Sequence, residues 1–435
     1  MTFSQVKPIS ISLSPNVEKD DVHLALGLLF RPWLWRRGKA IEKLESEFKK
    51  YLGVKYAVSF NSGRSSLFAI LQSLKEEQPS FGSAQDEVLL QAFTCNAVPN
   101  PILWAGLNPV YVDCDKDTFN IDTKDLEAKI RPESKVLIVQ HTFGLPAEMN
   151  EIMEICRRNN LILIEDCAHS LGAEYEAMKV GTFGEAAFFS FSRDKVISSV
   201  YGGMAVTNDD SIGRALEKLQ KEFGLASRYW TFQQILHPIL LHYIILPLYS
   251  VLDLGKIFLV LSQWTHILSK AVSWKEKRGE KPDYFPKALP NALSAMALRQ
   301  FSKLDKFYKH RETISRFYYQ NLKDTAFSVS DNLLPENLAA KKIKHSFLRF
   351  TVRRPKAREI IYESWQKKNI LLGDWYTTVI APFDTNLEDL KYAMGMCPNA
   401  EQLAKETLNL PTHINISQKD AQKIVNFLRE WKSKK

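Results

Sequence analysis

The chain has 435 residues, of which 45% are hydrophobic and 25% charged, and its formal net charge is +9. This composition is typical of a globular protein with a large core, and the length favours two domains or one large and one smaller domain. The five cysteines are widely spaced and form no CxxC or Cys/His ligand pattern. This spacing argues against a disulfide framework or a metal site and predicts a reducing, cytoplasmic environment.

The excess of basic residues indicates an anionic partner. No RRM, zinc-finger or helix-turn-helix signature is present, so nucleic acid is a poorer candidate than a phosphorylated substrate or a membrane surface. The first 16 residues, MTFSQVKPISISLSPN, lack the basic and apolar stretches of a signal peptide, so none is expected.

The first clear structural pattern is an amphipathic helix over residues 39–52. Beyond it, short apolar runs alternate with helical segments such as 65–74 and 152–158. The runs predict strands at residues 56–60, 87–91, 110–112, 136–140, 161–165 and 187–191. Continuous apolar strands alternating with helices predict an α/β fold, with a mostly parallel, seven-stranded type of sheet covered on both faces. Ligands bind such sheets beyond the carboxyl ends of the strands.

The composition changes after Leu225. Residues 229–252 contain no charged side chain, residues 257–272 are mostly apolar, and a basic segment follows at 275–281. We therefore predict three parts. These are a large α/β domain over 1–222, an apolar helical insert over 223–283, and a helix linker with a small α+β C-terminal domain over 284–435.

Two turns at strand ends are candidates for ligand binding. The segment FNSGRSSL takes a strand through Gly63 into a helix, and free N–H groups at a helix N-terminus suit phosphate. The alternative is a plain turn in which Ser65 caps the helix.

Asp166 follows a very apolar strand, where a buried carboxylate needs a cationic or donor partner, such as a protonated ring nitrogen. The alternative is that Asp166 caps the next helix.

Lys195 ends a third segment, FFSFSRDK, which contains an aromatic strand and Ser190. A lysine is usually a solvated charge. In a partly desolvated pocket near other cations its pKa falls, and the neutral amine can attack a carbonyl. The Gly202-Gly203 pair that follows permits close packing of the backbone.

In their order and spacing, these segments resemble the DegT/DnrJ/EryC1/StrS family of sugar aminotransferases, which have the aspartate-aminotransferase fold. The resemblance extends over nearly the whole chain. It includes the SGRSSL turn, SFSRDK and further stretches, namely GVKYA (53–57), GLNPVYVDCDKDTFNID (106–122), QHTFGLP (140–146), EDCAHSLGA (165–173), YGGMAVTND (201–209) and CPNAEQLAKETLNLPTH (397–413).

The resemblance implies an enzyme of fold type I that uses pyridoxal 5′-phosphate (PLP) and forms a homodimer with the site at the subunit interface. Lys195 would bind the cofactor as a Schiff base, and later move a proton between substrate and cofactor. Asp166 would keep the pyridine nitrogen protonated. The remaining contacts would be His169 near the phenolic oxygen and, at the phosphate, Gly63, Arg64, Ser65 and Ser190.

Three positions depart from the family's pattern. Arg64 stands where the family often has Thr, and it either adds charge at the phosphate or points away. Cys95 occupies the place of the aromatic residue that stacks on the cofactor ring, and Phe93 is two residues away; both could instead be core residues. The asparagine that many members lend across the dimer has no clear counterpart, because Pro286 is near that position and Asn291 is displaced from it.

By this resemblance the reaction is transfer of an amino group from an amino acid, with glutamate as donor, to the keto group of a nucleotide-linked sugar. One alternative is another PLP reaction such as dehydration, but family dehydratases carry His in place of the lysine. The other is a non-catalytic or membrane-associated regulatory or assembly protein that kept the fold. The joint presence of Lys195, Asp166 and Ser190 argues against this second alternative.

The apolar stretch at 229–272 allows two interpretations. Residues 229–252 are long enough to reach across a bilayer core, which takes about 20 residues, but Pro238 and Pro247 would kink such a helix. Aromatic residues and the basic segment that follows instead predict a helical hairpin that lies on or dips into the cytoplasmic face of the membrane. The alternative is that these helices cover the partner subunit and never meet lipid.

Overall fold

A computed structural model of the chain describes residues 7–78, 81–330, 333 and 335–431. The strands, in chain order, are β1 Ile9–Ser10, β2 Tyr56–Phe60, β3 Glu87–Gln91, β4 Thr94–Cys95, β5 Asn108–Val112, β6 Ser134–Gln140, β7 Ile162–Asp166, β8 Glu174–Tyr175, β9 Met178–Lys179, β10 Ala186–Ser190, β11 Gly203–Thr207, β12 Arg349–Arg353, β13 Ile370–Leu371, β14 Ile380–Ala381 and β15 Thr407–Pro411.

The helices, in chain order, are α1 Lys19–Leu29, α2 Ala40–Leu52, α3 Gly63–Glu77, α4 Pro99–Trp104, α5 Thr123–Lys129, α6 Met149–Asn159, α7 Asp210–Phe223, α8 Arg228–Leu240, α9 Leu246–Leu248, α10 Leu254–Trp264, α11 Asn291–Phe301, α12 Leu304–Leu322, α13 Pro335–Ala340, α14 Ala357–Lys368, α15 Pro398–Glu406 and α16 Gln418–Glu430. Short 3₁₀ turns lie at Pro32–Leu34, Thr142–Gly144 and Glu276–Arg278, and a π-helical turn lies at Leu241–Ile245.

A seven-stranded sheet in the order β2-β11-β10-β7-β6-β3-β5 forms the centre of the molecule. Strand β11 pairs antiparallel with both of its neighbours, and the other pairings are parallel. The predicted α/β class and mostly parallel sheet are therefore confirmed. All six predicted strands are present, while β11 is a seventh that the apolar runs did not predict.

The sheet is buried on both faces, as continuous apolar strands require. In β3, Val88 and Leu90 pack into a core cluster that includes residues of α3 and α7. Leu89 points to the opposite face and packs with residues of α6. This double burial fixes the strand ends, and it brings the carboxyl ends of β2, β6, β7 and β10 to one edge.

Helix α3 begins earlier than the sequence pattern indicated, at Gly63, and continues to Glu77. Its cap is Ser62, whose Oγ accepts a hydrogen bond from the Ser65 N–H at 3.0 Å. The prediction of Ser65 as the cap is therefore wrong by one turn, because Ser65 occupies the third helical position.

The insert contains a helical hairpin. One arm runs from α8 through the π-helical turn into α9, and α10 returns beside it. The Tyr229 hydroxyl at the start of the first arm donates to the carbonyl of His266, just beyond the end of α10, at 2.9 Å. Pro238 and Pro247 flank the π-helical turn, where the missing proline N–H groups disturb the regular ladder. Within the residues described, no helix has the length and apolar character needed to cross a bilayer.

The C-terminal part contains the antiparallel pair β12 and β15, which share a core with α12, α14 and α16. A second pairing ties this part to the main sheet region, because β14 runs parallel to β4. This pairing places residues 374–383 over the carboxyl edge of the large sheet. The division of the chain at residues 222 and 283 stays a prediction.

Candidate active site

A cavity of about 260 Å³ lies at the carboxyl edge of the sheet. Its wall contains every predicted site residue except Ser65, namely Gly63, Arg64, Cys95, Asp166, His169, Ser190 and Lys195. Segments that are far apart in the sequence thus meet at one site. This arrangement follows from the parallel pairing of β7 with β6 and β10, which aligns their carboxyl ends.

One corner of the cavity has the form of an anion cradle. A Cβ added at Gly63 would lie 3.0 Å from Cβ of Ser190, and one added at Gly203 would lie 2.5 Å from the Ser62 carbonyl carbon. The approach at Gly203 requires glycine, and the one at Gly63 is tighter than an ordinary van der Waals contact. They bring the Ser190 hydroxyl beside the first N–H groups of α3, which a helix cannot satisfy internally and which favour a phosphate.

Ser65 has a different role from the one predicted for it. Its side chain is fully buried, and its hydroxyl donates to Oδ1 of Asn61 at 2.7 Å. With the bond from its N–H to Ser62 Oγ, Ser65 shapes the turn rather than facing the cavity.

Asp166 is the last residue of β7 and is only 2% exposed. Its Oδ1 accepts a hydrogen bond from the Ala168 N–H at 2.9 Å. Residues 167–173 form turns and no helix, so the alternative that Asp166 caps a helix is wrong. Burial raises the pKa of Asp166 to about 6, against the opposing effects of the Ala168 N–H and of the nearby Lys195 and His141 side chains. A cation in the cavity would favour its ionised form.

A buried network behind Asp166 holds the end of β7 in place. Nε2 of His141 lies 3.1 Å from Glu165, and Nδ1 of His141 accepts the Ala147 N–H at 3.1 Å. Glu165 also accepts three backbone N–H groups, those of Gly181, Phe183 and Gly184. His141, Glu165 and Cys167 are close enough to surround a metal ion, but these hydrogen bonds already occupy both nitrogens of His141 and both oxygens of Glu165. The network is therefore structural.

Lys195 lies in the turn after β10 and is partly buried. Its Nζ is 4.5 Å from the ring centroid of Trp375. Burial lowers the pKa of Lys195 to about 8; the Cys95 thiol and the Asp166 carboxyl act to raise it, and Arg349 acts to lower it. A substantial fraction of the amine is therefore neutral, and nucleophilic, at mildly alkaline pH.

His169 is a neutral hydrogen-bond donor at the cavity wall. Burial, together with the charges of Lys195 and Arg349, lowers its pKa well below the usual range. Its Nδ1 accepts the Phe143 N–H at 3.2 Å, so the ring proton sits on Nε2, which lies 3.3 Å from the Tyr376 hydroxyl oxygen. A donor at Nε2 suits an anionic or carbonyl oxygen of a ligand.

Trp375 is one of several aromatic residues in the cavity wall, and the sequence prediction did not include it. Its ring stacks on His169 at 5.3 Å between centroids, and the Arg349 guanidinium lies 3.8 Å from its centroid. Cys95 also lines the cavity, whereas Phe93 is fully buried and packs against Tyr376 at 5.4 Å. The alternative that Phe93 faces the ligand is therefore wrong, and core packing is its role. No signal in the sequence pointed to Trp375, because only the β4–β14 pairing brings it here.

The insert forms another part of the wall. Arg64 forms a buried ion pair with Glu276 and donates to the carbonyl of Ala271 at 3.1 Å. Burial alone would lower the pKa of Arg64, but the Glu276 carboxylate raises it above its ordinary value. Arg193 donates to the Ser269 carbonyl at 2.6 Å. Of the two alternatives for Arg64, its side chain therefore points away from the phosphate corner and anchors the insert.

The Asn291 side chain is bound within its own chain. Its Oδ1 accepts the Ala40 N–H at 2.9 Å, and its Nδ2 donates to the Leu34 carbonyl at 2.7 Å. These two bonds fix the start of α2, so this amide does not replace the asparagine that other members lend across a dimer.

The architecture is that of known aminotransferases. Helicobacter pylori PseC, an aminotransferase involved in the biosynthesis of pseudoaminic acid, has the same fold with a TM-score of 0.73 and 23% identity, over 97% of this chain and 98% of its own. This likeness shows that the chain has the fold of these aminotransferases.

The chain belongs to the DegT/DnrJ/EryC1/StrS aminotransferase family, which it matches over residues 16–237 and 273–429. GDP-perosamine synthase from Caulobacter vibrioides is 26% identical to it, over 98% of this chain and 99% of the relative. A pleiotropic regulatory protein from Geobacillus stearothermophilus is 27% identical over 97% of each. The family match omits residues 238–272, which include most of the hairpin.

Proposed function

We propose that this aminotransferase uses PLP bound to Lys195 to move an amino group from glutamate to the keto group of a nucleotide-linked sugar. The observation that carries the proposal is the meeting of Lys195, Asp166 and the Gly63–Ser190 corner at one cavity. An amine, a buried carboxylate and an anion cradle are the three groups that PLP needs for its aldehyde, its ring nitrogen and its phosphate.

The cavity residues fit this cofactor. A carboxylate that burial leaves with a raised pKa is stabilised by a protonated pyridine nitrogen, so Asp166 and the ring favour each other's charged forms. The helix N-terminus and the Ser190 hydroxyl would hold the phosphate, and Nε2 of His169 would donate to the phenolic oxygen. When bound, PLP supplies an electron sink for the carbon that loses or gains a proton.

Lys195 is the residue suited to move that proton. Its lowered pKa leaves Nζ able to accept a proton from a substrate carbon and to return it, which is general acid–base work matched to a pH near its pKa. Trp375 and the insert segment 269–276 reduce the access of water to the same amine, which would favour the neutral form.

The relative named GDP-perosamine synthase supports a sugar substrate linked to a nucleotide. The relative named a pleiotropic regulatory protein supports the rival function, a regulator that has kept the fold. Catalysis is the better supported of the two, because a regulator has no need for a desolvated lysine facing a buried aspartate.

We further propose that the enzyme is a homodimer, as the family resemblance implies; light scattering of the purified protein tests this.

Spectroscopy and amino transfer test the proposal together. The protein mixed with PLP is expected to absorb near ~420 nm, and borohydride is expected to abolish this band and leave PLP attached to Lys195. Incubation with ¹⁵N-glutamate or ¹⁵N-glutamine and a set of GDP- and dTDP-linked keto sugars should give a ¹⁵N-amino sugar. Absence of the band would contradict the proposal that the protein binds PLP. A protein that shows the band but aminates only unlinked sugars would contradict the proposal of a nucleotide-linked substrate.

A further inference from the structure

The hairpin presents an exposed apolar ridge. We use this name for ten large side chains of α9, α10 and their flanks that are each at least about one-third exposed: Tyr243, Leu248, Val251, Leu252, Leu254, Ile257, Val260, Leu261, Trp264 and Ile267. Leu252 is 86% exposed and Trp264 75%. Soluble proteins rarely expose a contiguous patch of this kind without a partner for it.

The ridge is continuous along α10. Leu254, Ile257, Leu261 and Trp264 are spaced by three, four and three residues, so they lie on one face of the helix. The opposite face packs onto the protein, with Gly255 and Ser262 buried. A helix with one face held and one apolar face open has a defined orientation toward whatever covers it.

Charge distinguishes the possible occupants of the ridge. Within residues 243–267, Asp253 and Lys256 are the only charged side chains, and they pair with each other at 2.6 Å. Two exposed basic residues, Arg228 and Lys270, lie close in sequence to Tyr229 and to the end of α10, which the Tyr229–His266 hydrogen bond brings together. The following segment adds Lys275, Arg278 and Lys281 but also the exposed acids Glu280 and Asp283, of which Asp283 pairs with Lys275. The acidic Glu276 in this stretch is fully buried against Arg64. An uncharged ridge with a cationic border matches an anionic, apolar surface.

We propose that the apolar ridge binds the surface of a bilayer containing anionic phospholipid, with α10 lying in the plane of the interface. An apolar helix face bordered by basic residues and tryptophan is typical of helices that insert into the headgroup boundary. The 11 residues of α10 extend about 16 Å, far short of a bilayer core of about 30 Å, so the helix lies on the membrane and does not cross it.

A second copy of the chain is a poorer occupant. A twofold contact places the same patch against itself, so the basic borders would face each other. Anionic lipid instead neutralises this border, and each basic residue near such a surface adds to the attraction. This inference does not depend on the reaction proposed above, because the family match omits residues 238–272.

Flotation of the full-length protein with vesicles tests the proposal. We expect it to float with phosphatidylcholine vesicles that contain 30% phosphatidylglycerol and to stay at the bottom with pure phosphatidylcholine. The triple change Ile257→Ser, Leu261→Ser and Trp264→Ser should lower the partition coefficient at least about tenfold, because three exposed apolar side chains no longer enter the interface. The double change Arg228→Gln and Lys270→Gln should lower it several-fold.

The matched control is Met394→Ser with Met396→Ser, which removes two exposed apolar side chains outside the hairpin and should leave flotation unchanged. Circular dichroism of each variant checks that it is folded. The proposal is overturned if the full-length protein does not float with the anionic vesicles, or floats equally with neutral ones, or if the triple variant floats like the parent. Loss of a dimer in the triple variant, without flotation of the parent, would identify a second copy as the occupant and would also overturn it.

Discussion

The two sides of the cavity are built in different ways. On one side, Asp166 and Ser190 end β7 and β10, and ladder hydrogen bonds fix their backbone. Lys195 lies in the turn after β10, where its N–H donates to the Ser192 carbonyl at 3.2 Å. The other side consists of the insert segment 269–276, which side-chain contacts hold in place, and the C-terminal segment 374–378, which the pairing of β14 with β4 brings to the cavity.

The two sides therefore have different roles: one contains the reacting groups, and the other encloses them. The first side contains the amine and the carboxylate that a reaction needs. The positions of both groups are determined by short segments of the sequence. The other side contains Trp375 and the Arg64–Glu276 pair, which limit the access of water to the amine of Lys195. Changes on the first side should therefore remove activity at constant stability, whereas changes on the second should alter stability or pKa first.

The largest effect is expected for Lys195→Ala. Loss of the amine removes both covalent attachment of PLP and proton transfer, so turnover should fall by at least about 10⁴-fold. The melting temperature should change little, because among the described residues Nζ makes a cation–π contact with Trp375 and no hydrogen bond. Turnover at the parent rate would remove Lys195 from the mechanism.

Asp166→Asn is expected to have the next largest effect. The amide can still hydrogen-bond a ring nitrogen but cannot keep it protonated, so the rate of a single turnover with glutamate should fall by about 10²- to 10³-fold. PLP binding should weaken far less, since the phosphate corner is unchanged. An unaltered single-turnover rate would mean that Asp166 serves only its bond to Ala168.

These two positions could be found in the sequence because each lies at or shortly after an apolar run and belongs to a motif with fixed local spacing. Trp375 could not, because it is 209 residues from Asp166 in sequence and only the pairing of β14 with β4 brings it to the cavity. The direction of the Arg64 side chain was equally open, since nothing in the sequence indicates that Glu276 is its partner. The start of α3 was misplaced because Ser62 and Ser65 are both good capping residues and only geometry distinguishes them.

Glu276→Gln tests the anchoring of the insert. The carboxylate is fully buried, and its loss leaves the Arg64 guanidinium buried without a counter-charge. The free energy of unfolding should fall by about 3 kcal/mol, measured by urea denaturation. The control is Asp210→Asn, which breaks the exposed pair with Lys55 and should cost at most about 1 kcal/mol. Equal losses in the two variants would mean that the insert is not held by this pair.

The pH dependence of covalent PLP capture tests whether the cavity excludes water from Lys195 and so lowers its pKa. The neutral fraction of Lys195 rises with pH and reaches one half at its pKa, about 8. The capture rate should therefore increase by about 50-fold between pH 6 and pH 8 and level off above pH 9. Stopped-flow absorbance measures it. A rate that still rises steeply above pH 9.5 would indicate a solvated lysine with an ordinary pKa.

The smallest effect is expected for substitution of Trp375. The direction of the change in the pKa of Lys195 will show which of two opposing influences of the indole ring is the larger. The indole face attracts the Lys195 ammonium, which favours the charged form, while the ring also excludes water, which favours the neutral form. Burial is the largest influence on the pKa of Lys195, so removal of the ring should raise that pKa. We expect Trp375→Ala to shift the midpoint of the capture curve upward and to lower kcat/KM about tenfold at pH 7.5. Trp375→Phe should stay close to the parent, because it keeps an aromatic ring at the wall. Tyr362→Ala, at a side chain that is 60% exposed, controls for loss of an aromatic elsewhere in the C-terminal part. A midpoint that moves downward in Trp375→Ala would mean that the cation–π contact outweighs the exclusion of water.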